Sequence, residues 1–381
     1  MKPLQPQFEL LTFYHFVDIP QSEVESVCSE HLQFCSDIGL KWRIYIGTEG
    51  ISSTVSGNLG QCRAYRMYLE SSKYFNSIAD IDTKSTRVAG HQFEKMTVKV
   101  KDEIVVLGEK VTEKEVQKFR KELTPAEFKK IIDEGKIDDY VILDMRNDYE
   151  YRLGHFKWAI PAGTVNFREV PQLLERYREK AKGKKIIWYC TGGIRCEKAA
   201  VLANKAWLED VYAIEGWVVK YTNTYNDGNW LGNLYTFDGR VSTQIGDSVT
   251  HTTIGTCLHS DKLTDHCDNC RNTECNARLI VDFDEHKKHM WFCSSDCFQR
   301  SLTTLLIKDV PWDQLRIQSV RPELKNLHQL ISYKELRSRV KNKKISINEA
   351  QEIVSNHLIR GLGKTSFRHK ESQKEGIIQM D

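Results

Sequence analysis

No run of eighteen apolar residues occurs anywhere in the 381-residue chain, and residues 1–20 contain no long apolar stretch. Neither a membrane-spanning helix nor a secretory leader is therefore expected, and the expected compartment is the cytoplasm. A dominant charge is missing too: 55 Lys and Arg stand against 52 Asp and Glu, a net +3. That balance carries no global signature of a nucleic-acid binder, although a local basic face fits inside it. Core-forming residues are not short, since 40% of the chain is hydrophobic and 28% charged, which excludes a wholly disordered or fibrous protein. The length exceeds one ordinary core and suits several domains. Of the eleven cysteines, six lie between Cys257 and Cys297 and the others are scattered. Such local clustering points away from a disulfide scaffold and toward metal binding in a reducing compartment.

Residues 7–17 (QFELLTFYHFV) read as a buried strand. Val24, Val27, Cys28, Leu32 and Cys35 then recur at helical spacing up to Gly39. Cys28 and Cys35 share that apolar face and read as core residues. Two β-branched runs, a helix around Ala64–Leu69 and a strand pair in FEKMTVKVKDEIVVLG complete the order β-α-β-β-α-β. This is the ferredoxin-like pattern, with one sheet face under helices and the other open to a partner, over about residues 1–112. A second unit opens at Thr124, with Pro125 at the first helical position, Glu127 completing a capping box and Gly135 as a stop. The strands YVILDMR, KKIIWYC and DVYAIEGW alternate with helices, and their apolar runs suit parallel strands covered on both faces. An open α/β domain is expected over about 113–245, a Cys-rich module over 246–318 and a basic helical tail over 319–381. GLGKT at 361–365 lacks the first glycine and the preceding strand of a phosphate loop, and reads as a helix stop.

The sharpest chemical feature is Cys190-Thr191-Gly192-Gly193-Ile194-Arg195-Cys196, between an apolar strand and a helix. In an open α/β sheet, ligands bind at the carboxyl ends of strands. A thiol there faces the next helix N-terminus, with loop N–H groups converging on it, so the thiolate is favoured. Gly192 and Gly193 allow the curl, and Arg195 adds positive charge. Cys190 is thus the candidate nucleophile; Cys196 suits either a resolving thiol or first-turn packing. The Cys-x4-Arg spacing is one residue shorter than a cysteine-phosphatase cradle. It better suits a sulfur atom or a peroxidic oxygen carried on the thiolate.

Cys190, Gly193 and Arg195 resemble the Cys-x-x-Gly-x-Arg loop of rhodanese domains. LDMRNDYEYRLGHFKWAI resembles their upstream signature, with Asp144, Arg146, Glu150, Gly154 and His155 at the matching positions. Asp144 and Arg146, at a strand end, can pair and hold neighbouring loops in register, whereas His155 reads as structural. IYIGTEGISSTVSG, FEKMTVKVKDEIVVLG, FREVP and CTGGIRCEKAA together resemble the tRNA uridine-5-hydroxylase family over most of residues 8–300. The resemblance implies a rhodanese-like central domain, oxygen-dependent conversion of the wobble uridine to 5-hydroxyuridine, molecular oxygen as co-substrate, the tRNA anticodon stem-loop as partner and Cys190 as the essential residue. A flipped uracil is commonly received on aromatic or Arg faces; Phe167, Arg168, Trp217 and Tyr221 are candidates, each also suited to packing. Trp158 and Trp217 stand where the family typically has glycine, near the expected rim.

Cys267-x2-Cys270-x4-Cys275 and Cys293-x3-Cys297 carry zinc-ligand spacing. The best single set is Cys270, Cys275, Cys293 and Cys297, with Cys257 and Cys267 as further candidates and His259, His266, His286 and His289 nearby. Its expected role is structural, holding a module too small to bury much apolar surface. Two other functions stay open: sulfur transfer from thiosulfate or a persulfide, for which the Cys190 loop is equally suited, and a non-enzymatic adaptor.

Overall fold

The computed structural model describes residues 8–76, 84–246 and 251–300, apart from single positions within them, and a few residues between 340 and 349. GLGKT and nearly all of the basic tail lie outside the described residues. Two compact units divide at Thr252 and Thr253.

The first unit begins with β1 (Phe8–Phe16), α1 (Val24–Asp37), β2 (Lys41–Gly47), β3 (Gly50–Asn58), α2 (Leu59–Glu70), β4 (Lys84–Val88) and β5 (Met96–Val100). The sheet order is β4-β1-β3-β2-β5, antiparallel except for β2 beside β5. The ferredoxin-like arrangement is therefore present, with β4 lying outside the expected strands. Leu11, Phe13, Ile44, Ile46, Ile51 and Val55 alternate onto one sheet face and meet the buried side of α1 and α2. Cys28 and Cys35 belong to this core. Leu32 does not: it is 40% exposed, and His31 occupies the buried position. The helical period carries residues 24, 27, 28, 31 and 35 inward and turns Leu32 aside. Burial between aromatic rings holds the His31 imidazole neutral, down at about 4.

DEIVVLG departs from its expected strand. The Ile104 N–H goes to Glu49 Oε1 at 2.8 Å, and those of Leu107 and Gly108 go to Glu103 carboxylate oxygens. Carboxylates take the donors that a sheet would have used, and the segment runs as an irregular bridge. Gly50 explains part of GTEG: its φ is +132°, and a Cβ there would lie 2.0 Å from the His15 carbonyl oxygen.

There follow α3 (Glu113–Phe119), β6 (Glu122–Leu123), α4 (Pro125–Asp133), β7 (Tyr140–Asp144), α5 (Asp148–Leu153), β8 (Gly154–Phe156) and β9 (Ala159–Pro161). Next are α6 (Val170–Lys180), β10 (Lys185–Tyr189), α7 (Ile194–Lys205), β11 (Val211–Ile214), α8 (Trp217–Thr224), β12 (Trp230–Tyr235) and β13 (Ser242–Gln244). The Thr124 cap forms as read, its hydroxyl accepting from the Glu127 N–H while the Glu127 carboxylate takes the Thr124 N–H. A fully parallel sheet, β6-β11-β10-β7-β9, carries apolar side chains on both faces. Ile186 and Trp188 pack in one core, Ile187 and Tyr189 in the other. Phe16, Ile104, Leu107 and Val111 join the first of these cores, so the two domains share apolar packing.

The domains are also joined by charge. Lys198 on α7, fully buried, donates to both Glu49 oxygens at 2.8 Å, to Glu103 at 2.6 Å and to the Val105 carbonyl at 3.0 Å. Described by itself, the second unit contains a hairpin, β14 (Cys267–Asn269) with β15 (Arg278–Ile280), and α9 (Phe283–Lys288), capped by Asp282.

Candidate active site

Strand β10 ends at Tyr189, and Cys190 begins the loop to α7. The loop closes on the sulfur: the Gly193 N–H points at Cys190 Sγ from 3.1 Å. Gly193 sits at φ +101°, and a Cβ there would lie 2.2 Å from the Trp217 ring and 2.3 Å from the Tyr14 hydroxyl. Only glycine permits both the curl and the close roof. Burial alone would push the Cys190 thiol up. The Cys196 thiol as donor, the Arg195 charge and the N–H groups of Gly193 and Cys196 outweigh it and bring Cys190 down to about 5. Burial and the neighbouring thiolate push Cys196 well up, so it stays protonated and can donate. These groups together favour the Cys190 thiolate.

Arg195 does not reach out as a free cation. Its two terminal nitrogens grip Glu150 at 2.7 and 2.8 Å, with both side chains buried. This fork positions the loop against α5, and Thr191 Oγ1 reaches the same carboxylate at 3.4 Å. One layer deeper, Arg146 makes a bidentate pair with Asp144, and the Tyr189 hydroxyl donates to Asp144 at 2.9 Å. The Asp144–Arg146 pairing expected at the strand end is present. His155 stacks on Tyr151 and its Nδ1 lies 2.8 Å from the Tyr151 carbonyl, a structural setting.

A cavity of about 850 Å³ opens in front of the loop, with Cys190, Thr191, Gly192, Ile194 and Arg195 on its wall. The facing wall is the helix-free side of the first sheet, including Thr12, Tyr14, Arg43, Tyr45, Ser52 and Thr54. Arg43 lies 4.8 Å over the Trp42 ring and 5.0 Å over that of Tyr45. Sequence reading anticipated an open sheet face but not that it would complete this site. Phe167 and Trp217 line the cavity. Arg168 is exposed and lies off its wall. Tyr221 is fully buried in the opposite core against Phe128 and Phe156, so it offers no surface to a base. Trp158 is partly exposed between β8 and β9, away from the cavity lining, a correction to its expected place at the rim.

Three polar residues beside the loop escaped the sequence reading. Glu197 on α7 accepts from the Tyr14 hydroxyl at 2.9 Å and pairs with Arg120 at 3.4 Å, and all three line the cavity. Their separation of up to 183 positions explains why no local pattern announced them.

In the second unit, the sulfur atoms of Cys270, Cys275, Cys293 and Cys297 all lie within 4.8 Å of one another. Four thiols converging this closely fit a tetrahedral soft-ligand ion. The Cys293 N–H and the Asn272 amide point at Cys270 and Cys297 sulfur respectively. Cys257 and Cys267 are buried outside that cluster.

Family comparisons agree with this architecture. The family described as UPF0176 acylphosphatase like domain matches residues 8–104, the rhodanese-like domain 124–224 and the rhodanase C-terminal family 231–298. A Bacillus velezensis protein named tRNA uridine(34) hydroxylase is 35% identical over 296 residues, 77% of this chain and 89% of its own. A protein of the same name from Staphylococcus haemolyticus is 33% identical over 327 residues, covering 84% and 99%. This chain belongs to the tRNA uridine(34) hydroxylase family. A solved rhodanese-like domain from Anabaena shares 21% identity over 29% of this chain and 78% of its own, with a TM-score of 0.25. Within the hydroxylase family the Cys190 loop lies in the segment matching the rhodanese-like domain, and the facing sheet in the segment matching the acylphosphatase-like one. Among the described residues, no helix is long and apolar enough to cross a membrane.

Proposed function

We propose that this protein hydroxylates uridine 34 of tRNA at C5, with molecular oxygen as co-substrate and the Cys190 thiolate as nucleophile, in the cytoplasm. The observation that carries the reading is a buried cysteine, its sulfur facing the Gly193 N–H at 3.1 Å, on the wall of a cavity that a second domain completes. A thiolate adds readily to C6 of uracil, and the adduct makes C5 electron-rich toward an oxidant. The anticodon loop is read along the open sheet face, where Arg43, Tyr45 and Lys101 offer charge and ring surface to phosphate and base. Phe167 and Trp217 are the stacking candidates for the extruded uracil.

Mass spectrometry of nucleosides from tRNA incubated with the protein in air tests this reading. Production of 5-hydroxyuridine by the native chain and its loss in Cys190→Ser is the expected result. Rapid thiocyanate formation from thiosulfate and cyanide, with no 5-hydroxyuridine, replaces it with sulfur transfer.

The four-cysteine cluster is read as a structural zinc site. Cys270, Cys275, Cys293 and Cys297 would hold the ion, which cross-links segments of the second unit 18 or more positions apart. Metal analysis should give one zinc per chain, and Cys297→Ser should lose it.

A further inference from the structure

Beside the thiolate lies a second ionisable group, Glu197, that the nucleophilic step leaves unused. It belongs to the first turn of α7, is 7% exposed and shares the cavity wall with Cys190. The Tyr14 hydroxyl, which sits over Gly193, donates to it at 2.9 Å, and Arg120 approaches to 3.4 Å. We propose that Glu197 takes the C5 proton of the oxygenated uracil as Cys190 departs, with Tyr14 and Arg120 as its positioning residues. This inference rests on the hydroxylase reading and on addition of Cys190 to C6.

The step balances without any oxidant or reductant. Once oxygen has been transferred, C5 carries a hydroxyl and its original hydrogen, and C6 carries the sulfur. The Glu197 carboxylate accepts that hydrogen as a proton, and the C5–H electron pair becomes the C5=C6 double bond. In the same step the S–C6 bond breaks, its electron pair returning to Cys190, which leaves 5-hydroxyuracil and the free thiolate.

The groups facing Glu197 suit it to this timing. They are Tyr14 of β1, Arg120 after α3, Glu122 of β6 and Cys190 of the loop. Burial raises the carboxyl above its ordinary range against the lowering by Arg120 and Tyr14, and the charges of Glu122 and Cys190 raise it further. While Cys190 is a thiolate, its charge helps to raise the Glu197 carboxyl. When the sulfur is bonded to C6 its charge is gone, and the carboxyl ionises more easily. Tyr14 is itself held well above the usual phenol range, so it remains a donor throughout.

The test is Glu197→Gln in the full-length protein with tRNA in air. The expected result is a fall of about 10²–10⁴-fold in 5-hydroxyuridine formation, the range for loss of a positioned acid–base group. A tRNA–protein species stable on a denaturing gel should accumulate, with hydroxylated dihydrouridine on the Cys190 peptide, and should be absent when Cys190→Ser is added. Wild-type product formation by Glu197→Gln overturns the inference, as does loss of product with tRNA binding retained and no covalent species. Should Glu197→Gln fail to fold, Tyr14→Phe decides. Removing a hydrogen bond that lowers the Glu197 pKa should move the acidic limb of kcat to higher pH, and an unmoved limb overturns the inference. Absence of 5-hydroxyuridine with the native protein overturns the hydroxylase reading itself.

Discussion

At the scale of single residues, function depends on a conflict between burial and charge. Cys190 has no exposed surface, a setting that favours the neutral thiol, yet loop N–H groups, the Cys196 thiol and Arg195 reverse the preference. Ultraviolet absorbance of the thiolate should therefore titrate one group at about pH 5, missing in Cys190→Ser. Gly193→Ala should cost more than about 10-fold in activity, because its Cβ meets the Trp217 ring and the Tyr14 hydroxyl at 2.2–2.3 Å; comparing kcat for the two proteins checks this. Replacing Arg195 by Met strands the buried Glu150 carboxylate, a change expected to cost about 3–5 kcal/mol in denaturant unfolding.

At the scale of elements, what was legible in the sequence was whatever one segment decides alone. The Thr124 capping box, the strand-loop-helix at Cys190 and the apolar strands of the parallel sheet all appear as read. Thr124→Ala should lower stability by about 1 kcal/mol, seen as a shift in the denaturant midpoint with unchanged slope. The misreadings share a cause. DEIVVLG has strand-forming residues, but Glu49 and Glu103 take its N–H groups. Leu32 has the right chemistry on the wrong angular position. Tyr221, one turn after Trp217 on α8, turns into the far core while Trp217 packs in the near one.

At the scale of the molecule, the Lys198 cluster joins the two domains that form the cavity. Lys198→Met would leave Glu49 and Glu103 facing each other without their cation. It is expected to cost about 3–5 kcal/mol, and the double variant Lys198→Met with Glu49→Leu should recover part of that loss in thermal unfolding. The site depends on this junction, because Tyr14 and the hydroxyl-lined sheet come from one domain and the thiolate from the other.

The amino-acid order by itself determined the candidate nucleophile Cys190, its loop, the Asp144–Arg146 brace and the four cysteines of the cluster, because each rests on short spacings and local backbone geometry. Only the tertiary structure decided what surrounds the nucleophile. The pairing of Tyr14 with Glu197 and the grip of Lys198 on Glu49 join positions far apart in the chain, and the placement of Phe167 and Trp217 but not Tyr221 on the cavity depends on the packing around them, Trp217 leaving the helical path at φ +63°. Such contacts are selected by packing, which acts on distance in space and leaves no periodic mark in the sequence.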